Sequence, residues 1–198
     1  MTRRYELRQR ADRVEETRRR IVEATVDLHL TRGPAATQIA EVARRAGVQR
    51  RTVYNHFPDD AALFAACSEH WRTRHPPPDP AGWSDLRQGL RELYAWYRET
   101  EPMTANVLRD AEVLPSLRRV LESGFEVYLE AARSVLVRGL RPSLRVEAAI
   151  RLVTGFHGWR ALAPLGHEEA VELAAEFLER AEARRDRPRG SRARPARS

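Results

Sequence analysis

Apolar residues recur at intervals of three and four along most of this chain, which is the spacing of an amphipathic α-helix. One such segment begins at Val14 and ends at Gly33-Pro34, because glycine and proline stop helices. Later segments with the same spacing open at Ser84, Thr104, Pro115, Ser143 and His167. No alternating strand pattern competes with them, so the sequence predicts an all-α fold of about nine helices.

Within this pattern, the body of the chain has three breaks that prolines predict. We expect the segment from Ser84 to close near Pro102, because proline lacks the N–H that a helix interior uses. The segment from Pro115 is expected to run unbroken to Leu136, where Arg141-Pro142 follows. The segment from Ser143 is expected to run unbroken to Leu162, before Pro164.

Residues 37–57 carry the signature of two short helices joined by a tight turn. Thr37 follows the Gly33-Pro34 stop and is a suitable N-cap for the first helix. Gly47 interrupts the apolar spacing, and glycine accepts the positive backbone angle that a sharp turn needs. The second helix buries Val53 and Phe57, which lie four residues apart on one face. The sequence therefore predicts a helix-turn-helix.

The outward face of that second helix has a composition suited to DNA. It presents Arg50, Arg51, Tyr54 and Asn55, and folding of the head alone does not require an exposed face of this composition. The second helix of a helix-turn-helix enters the major groove, where arginine bonds guanine and asparagine bonds adenine. Tyrosine hydroxyls contact phosphate. We therefore predict that this chain binds double-stranded DNA.

Charge is distributed as a DNA-binding head on a separate body would distribute it. The formal net charge is +7 with a pI near 10.5. Residues 1–75 hold 15 arginines against 10 acidic residues, whereas residues 76–186 hold 15 arginines against 18 acidic residues. A basic head favours a polyanionic partner such as DNA, although solubility alone also accounts for a net charge of this size.

Other functional classes find little support in the sequence. It contains no glycine-rich phosphate loop, no nucleophile elbow and no spaced histidine–cysteine set, so we expect no enzyme activity, metal or cofactor. Cys67 is the single cysteine, lies among alanines and is expected to be a small buried residue. No signal peptide or apolar run of about 20 residues is present, which predicts a cytoplasmic protein without membrane contact.

Residues 37–64 resemble the N-terminal DNA-binding region of the TetR/AcrR family of bacterial transcriptional regulators. The matching residues are Thr37, Ile39, Ala40, Ala43, Ala46, Gly47, Val48, Thr52, Val53, Tyr54, His56, Phe57, Pro58, Ala62, Leu63 and Phe64. The resemblance implies a homodimer on palindromic operator DNA and a C-terminal domain whose ligand releases that DNA. By position it implies that Thr37, Tyr54 and His56 meet phosphates. It also implies that Arg50, Arg51, Thr52 and Asn55 face bases.

The chain departs from the family pattern at two places. Gln49 stands where members often carry serine; glutamine is a weaker cap, but it can bond adenine. Asp59-Asp60 stands where members often carry a lysine nearby, and these acids would repel phosphate.

The domain organisation follows from the breaks and from composition. We predict a mobile basic arm at 1–12, a helix-turn-helix domain at 13–58, a connecting helix at 59–75, a proline-rich linker at 76–83, an effector-binding and dimerisation domain at 84–186 and a disordered arginine-rich tail at 187–198.

The last two predicted helices, at about 143–184, are apolar on more than one side. A helix with so wide an apolar surface buries it against its own domain and a second surface, and a symmetric copy is the simplest partner. Gly155 and Gly158 allow close approach of a partner helix or of neighbouring elements in the same chain. We therefore predict a homodimer through these helices.

Aromatic residues concentrate in the body and point to a small-molecule cavity, since ligand pockets are mostly apolar with a few polar groups. The predicted lining is Trp83, Tyr94, Tyr97, Arg98, Phe125, Tyr128, Phe156, His157 and Trp159. Aromatic residues at helical spacing are equally typical of a core, and that alternative stays open for each residue. The predicted effector is a small hydrophobic or aromatic molecule.

The resulting prediction is a ligand-responsive transcriptional regulator, a homodimeric repressor released by its effector. Two alternatives stay open at this stage. An activator of the same fold would have the same sequence features. A helical protein-interaction module would use the basic face without binding an operator.

Overall fold

The computed structural model describes residues 2–183, with side chains from Tyr5 onward. In that range it contains ten α-helices and two 3-10 helices, at Pro80–Gly82 and Ala163–Leu165, and no strand, which confirms the all-α prediction. The α-helices are α1 Thr2–Arg32, α2 Ile39–Ala46, α3 Arg50–His56, α4 Asp60–Arg74, α5 Leu86–Ala111, α6 Pro115–Ser123, α7 Phe125–Leu136, α8 Leu144–Thr154, α9 Phe156–Leu162 and α10 His167–Ala183. None of these helices is both long and apolar enough to cross a membrane.

Helix α1 begins at Thr2, so the predicted mobile arm at 1–12 is wrong as far as the structure describes it. The reason is compositional, because the first 32 residues contain neither glycine nor proline and are rich in good helix formers. Gly33 ends the helix with φ +88°, and its N–H donates to the His29 carbonyl at 2.9 Å. The predicted tail at 187–198 lies outside the described residues.

Three of the predicted helix boundaries in the body are wrong. Helix α5 runs through Pro102, since the proline occupies an exposed position while Tyr97 and Met103 beside it are buried. The predicted helix from Pro115 instead breaks at Gly124, between α6 and α7. Glycine lets the chain change direction there at little steric cost.

The predicted helix from Ser143 also breaks, at Gly155. Gly155 is extended, with φ −75° and ψ 142°, and α9 folds back against the end of α8. A side chain at Gly158 would collide with the Leu152 carbonyl, so this glycine serves packing within the chain.

The head consists of α1 to α4 around one apolar core. Ile21, Val42, Val53 and Phe57 are at most 2% exposed and bring α1, α2 and α3 together. Arg18 secures the end of α3, because its guanidinium donates to the His56 carbonyl at 3.4 Å and lies 4.4 Å from the centre of the Phe57 ring.

The body packs α5, α7, α8, α9 and α10 around a second core that includes Leu90, Tyr94 and Tyr97. The Tyr94 hydroxyl donates to the Val153 carbonyl and the Tyr97 hydroxyl to the Thr154 carbonyl, each at 2.7 Å. Those carbonyls belong to the last turn of α8, where no intrahelical donor remains. Burial raises the pKa of both tyrosines, so their hydroxyls stay protonated as donors.

Head and body meet through a polar clasp between α5 and the end of α1. The Asn106 amide donates to the His29 and Leu30 carbonyls at 3.0 and 2.9 Å. The buried Asp110 carboxylate accepts the Ala35 N–H at 2.8 Å. The Leu30 carbonyl and the Ala35 N–H have no helical partner, and these bonds satisfy them. The end of α5 thereby holds the head at a defined place.

Candidate nucleic-acid interface and ligand cavity

The turn of the helix-turn-helix is a Schellman motif centred on Gly47. Gly47 has φ +66°, its N–H donates to the Arg44 carbonyl at 3.3 Å, and the Val48 N–H donates to the Ala43 carbonyl at 2.9 Å. This pair of bonds satisfies the last carbonyls of α2 and needs a left-handed residue, which glycine supplies. The turn therefore sets the direction of α3 relative to α2.

Helix α3 exposes the face that the sequence predicts. Val53 and Phe57 are 1% and 2% exposed and hold the helix on the head core. Gln49, Arg50, Arg51, Tyr54 and Asn55 are exposed, whereas Thr52 and His56 are partly exposed. Within the described part of the chain, neither Arg50 nor Arg51 forms an ion pair, so both guanidinium groups are available for an anionic partner.

The predicted N-cap role of Thr37 is wrong. Helix α2 begins at Ile39 with Gln38 in the cap position, and no side chain caps it. The Thr37 hydroxyl instead donates to the Gly33 carbonyl at 2.8 Å. Because Thr37 lies two residues before α2, this bond stabilises the α1–α2 loop and not the helix start. The Thr37 hydroxyl oxygen can still accept a hydrogen bond.

Asp59 and Asp60 form the start of α4. The Asp59 carboxylate accepts the Ala62 N–H at 2.8 Å and caps the helix, and Asp60 lies in its first turn. Carboxylates at this end complement the helix dipole. The Asp59 carboxylate therefore takes the Ala62 N–H, which a DNA phosphate at this helix start would otherwise accept. This supports the expectation that α4 makes no phosphate contact at its first turn.

A cavity of about 260 Å³ lies where head and body meet. Helices α1 and α4 form its wall on the head side, and α5, α6 and α7 form its wall on the body side. Five aromatic rings line it, those of Phe64, Trp71, Trp96, Phe125 and Tyr128. The Trp96 indole N–H donates to the His75 carbonyl at 3.1 Å, and the Tyr128 hydroxyl donates to the Pro78 carbonyl at 3.1 Å.

The structure places only part of the predicted effector lining at this cavity. Phe125 and Tyr128 line it. Five of the other seven predicted residues are buried in the body core, namely Trp83, Tyr94, Tyr97, Phe156 and Trp159. The other two, Arg98 and His157, are exposed. A helical position that points inward looks the same in sequence whether it meets a void or another side chain.

Phe64 and Trp71, both on α4, are large cavity residues that the predicted lining omits. A usable signal was present for Trp71. Helix α4 carries apolar residues on two faces, because Leu63 and Cys67 are buried in the head core, whereas Phe64 packs with Leu117 of α6. Phe64 and Trp71 also line the cavity. A connecting helix that is apolar on two sides must be covered on both.

The inner end of the cavity is electrically neutral. His29 is 4% exposed, and burial lowers its pKa to about 4, although the charge of Asp110 opposes the change. Burial also raises the pKa of the Cys67 thiol to about 12. Near neutral pH the cavity therefore offers a neutral imidazole and a protonated thiol, and the thiol is a poor nucleophile.

A separate apolar surface covers the outer side of α8, α9 and α10. Leu152 is 56% exposed, Leu165 43%, Leu173 42% and Phe177 46%. The opposite sides of α8 and α10 carry Ile150, Val171 and Leu178, which are buried in the body core. These helices are therefore apolar on two faces, as the sequence predicts for 143–184.

The structure is thus that of a helical protein with a helix-turn-helix head, a helical body and a cavity where the two meet. Residues 21–67 match the model of the bacterial regulatory proteins, tetR family. The head of this chain is therefore similar to the heads of transcriptional regulators of this family.

Curated relatives align with the head. The HTH-type transcriptional repressor Rv3405c of Mycobacterium tuberculosis is 38% identical over 60 residues, and so is an HTH-type transcriptional regulator of Mycobacterium bovis. In each case the match covers 30% of this chain and 32% of the relative. The chain thus matches about a third of the length of these curated relatives.

Solved structures match over most of the chain. A TetR-family regulator from Rhodococcus sp. covers 85% of this chain and all of its own, with a TM-score of 0.62 and 19% identity. NalD, the secondary repressor of the MexAB-OprM multidrug efflux pump in Pseudomonas aeruginosa, covers 85% of this chain and 94% of its own, with a TM-score of 0.53 and 22% identity. A regulator from Saccharomonospora viridis in complex with choline covers 83% and 96%, with a TM-score of 0.55 and 19% identity. At these identities the likeness establishes the fold.

Proposed function

We propose that this chain is a ligand-responsive repressor that binds palindromic operator DNA as a homodimer. The observation that carries the proposal is the exposed face of α3, where Arg50, Arg51, Tyr54 and Asn55 stand on a buried Val53–Phe57 base. An exposed set of unpaired arginines with hydrogen-bonding neighbours has the composition of a major-groove surface. The repressor named among the curated relatives supports the direction of control.

The residues of the α3 surface divide by the chemistry each offers to DNA. Arg50, Arg51 and Asn55 would bond base edges, with Thr52 and Gln49 beside them. Tyr54, His56 and Thr37 would contact phosphates and so fix the register of the helix on the duplex. Operator DNA lies in the bacterial cytoplasm, so the proposal carries that location with it.

Dimerisation is supported by the apolar surface of α8–α10. Leu152, Leu173 and Phe177 are each more than two-fifths exposed on two helices that pack against each other, and grouped exposed apolar side chains suit an interaction site. A two-fold axis through this surface would pair it with itself. It would also place two copies of α3 about 34 Å apart, or a small multiple of that distance, on one face of the DNA.

The response to a ligand is supported by the position of the cavity. Because α1 and α4 form one wall and α5 to α7 the other, a molecule in the cavity touches both head and body. A ligand that fits one head position better than another shifts the population toward it and lowers operator affinity. The choline held by the Saccharomonospora viridis regulator supports a ligand site in this fold.

Operator binding is tested with labelled duplexes from the region upstream of the chain's own gene. We expect binding by fluorescence anisotropy to a palindromic segment, with affinity falling by about 0.9 log units per log of salt for each phosphate neutralised. A scrambled duplex of the same length is the control. Equal affinity for both duplexes at every salt concentration would reject specific operator binding, and a promoter–reporter assay separates repression from activation.

Dimerisation is tested by placing charge on the apolar surface of α8–α10. The double change Leu173→Glu and Phe177→Glu should convert a dimer into a monomer, because burying two carboxylates without partners costs several kcal/mol, about 2 or more for each group. Light scattering after gel filtration reports the mass. Val113→Glu is the matched control, since Val113 is 69% exposed and lies outside this surface. A double variant that stays dimeric would contradict the assignment.

A further inference from the structure

We propose that the cavity binds a compact apolar molecule that carries one anionic group, such as a carboxylate, and that Arg72 pairs with this group. The inference rests on the ligand response proposed above and gives its effector a chemical class. It begins with the cavity lining. Among the described residues that form this lining there is no aspartate or glutamate, and Arg72 is the one with a permanent charge.

The guanidinium of Arg72 has no carboxylate partner in the described part of the chain. Two carboxylates that reach the end of α4 have other partners, since Glu23 pairs with Arg74 at 3.0 Å and Glu99 contacts His75 at 2.7 Å. Arg72 therefore differs from Arg74, which lies two residues further along α4 and pairs with Glu23 of α1. A ligand anion would supply the missing counter-charge.

Arg72 extends from α4 toward the junction of α6 and α7. One of its terminal nitrogens lies 3.7 Å from the place a Cβ would occupy at Gly124, and Gly124 itself lines the cavity. The guanidinium therefore lies beside the α6–α7 junction at the edge of the cavity. An anion bound there would contact α4 from the head and the start of α7 from the body.

The remaining lining determines the rest of the molecule. Trp71, Trp96 and Phe125 make the lining aromatic, which suits an apolar or aromatic body, and the neutral His29 offers one hydrogen bond. The volume of about 260 Å³ is at the small end for ligand pockets. Aromatic walls also suit cations, but a cation here would meet the charge of Arg72 and find no carboxylate.

The class is tested with matched acids, amides and amines measured by calorimetry on the full chain. The three sets are benzoate, benzamide and benzylammonium; cyclohexanecarboxylate with its amide and amine; and octanoate with its amide and amine. We expect at least one acid to bind at least tenfold more tightly than its own amide, with no amine binding. A preference for amides or amines, or no binding by any of the acids, would overturn the proposal.

Variants assign the preference to the guanidinium. Arg72→Gln should remove the advantage of the acid over the amide while leaving amide binding unchanged, and Arg72→Lys should keep part of it. Arg119→Gln is the matched control, because Arg119 is an exposed arginine on α6 that does not line the cavity. A full acid preference in Arg72→Gln would contradict the role of Arg72.

Operator binding without ligand separates this inference from the proposed function. Arg72→Gln should bind the operator like the unchanged chain, since Arg72 lies on α4 away from the α3 surface. If the operator is bound and an amide or amine releases it, the ligand-responsive regulator stands and the anionic class is wrong. If the operator is not bound, the proposed function fails whatever the acids do.

Discussion

Replacement of Gly33 by alanine is expected to lower the free energy of unfolding by about 3 kcal/mol. Gly33 has φ +88°, which costs a residue with a side chain about 1–3 kcal/mol. A Cβ there would also collide with the Arg109 guanidinium and the Asp110 carboxylate. Asp110 would then have to give up its bond to the Ala35 N–H, and a buried donor or acceptor left unpaired costs about 1–3 kcal/mol.

Urea unfolding followed by circular dichroism measures this change, and the chain provides a control with the same backbone conformation. Gly139 has φ +86° but nothing within 4 Å of a built Cβ. Gly139→Ala therefore carries the backbone cost without the collision. If the two variants lose equal stability, the clasp contributes nothing beyond backbone strain, and the packing argument at Gly33 is wrong.

The helix-turn-helix was predictable because its determinants are local. Apolar spacing, a glycine turn and the composition of a short surface all lie within residues 37–57, and the structure exposes Arg50, Arg51, Tyr54 and Asn55 as the pattern indicates. Whether those residues contact DNA stays a prediction. The predicted Thr37 cap is wrong because the start of α2 depends on the α1–α2 loop, which Asp110 holds from α5 through the Ala35 N–H.

The helix boundaries in the body depend on contacts between residues far apart in the sequence, which the local sequence pattern does not predict. Proline at 102 lowers helix stability, yet α5 continues because Tyr97 and Met103 on either side are buried in different cores. Gly124 and Gly155 break helices where α6 meets α7 and α8 meets α9. A glycine in a helical pattern is often tolerated, so its position alone does not predict a break.

The cavity was the least predictable feature, since it is the space left between five helices, α1 and α4 to α7, where their side chains do not meet. Tyr94 and Tyr97 were expected to line it, but their hydroxyls bond the end of α8 and their rings complete the body core. Trp71 lines it from α4 and Trp96 from α5. Periodicity identifies which side of a helix is buried and leaves open what covers it.

The other large expected effect concerns the exposed arginines of α3. Arg50→Ala and Arg51→Ala should each weaken operator binding by about 1–3 kcal/mol if the side chain bonds a base. A homodimer presents each arginine twice, so the loss for a palindrome is expected to be larger than for one half-site. Competition with a non-operator duplex separates the two kinds of contact, because loss of a phosphate contact weakens both duplexes alike.

Folding and electrostatics provide the controls for these two variants. Arg50 and Arg51 are exposed and without ion pairs in the described part of the chain, so neither change should alter the urea midpoint. Arg138→Ala removes an equal charge from an exposed position beyond α7, and it should leave operator affinity nearly unchanged. If Arg50→Ala and Arg51→Ala both bind the operator like the unchanged chain, α3 is not the recognition helix. If Arg138→Ala weakens binding as much as they do, net charge rather than position accounts for the affinity.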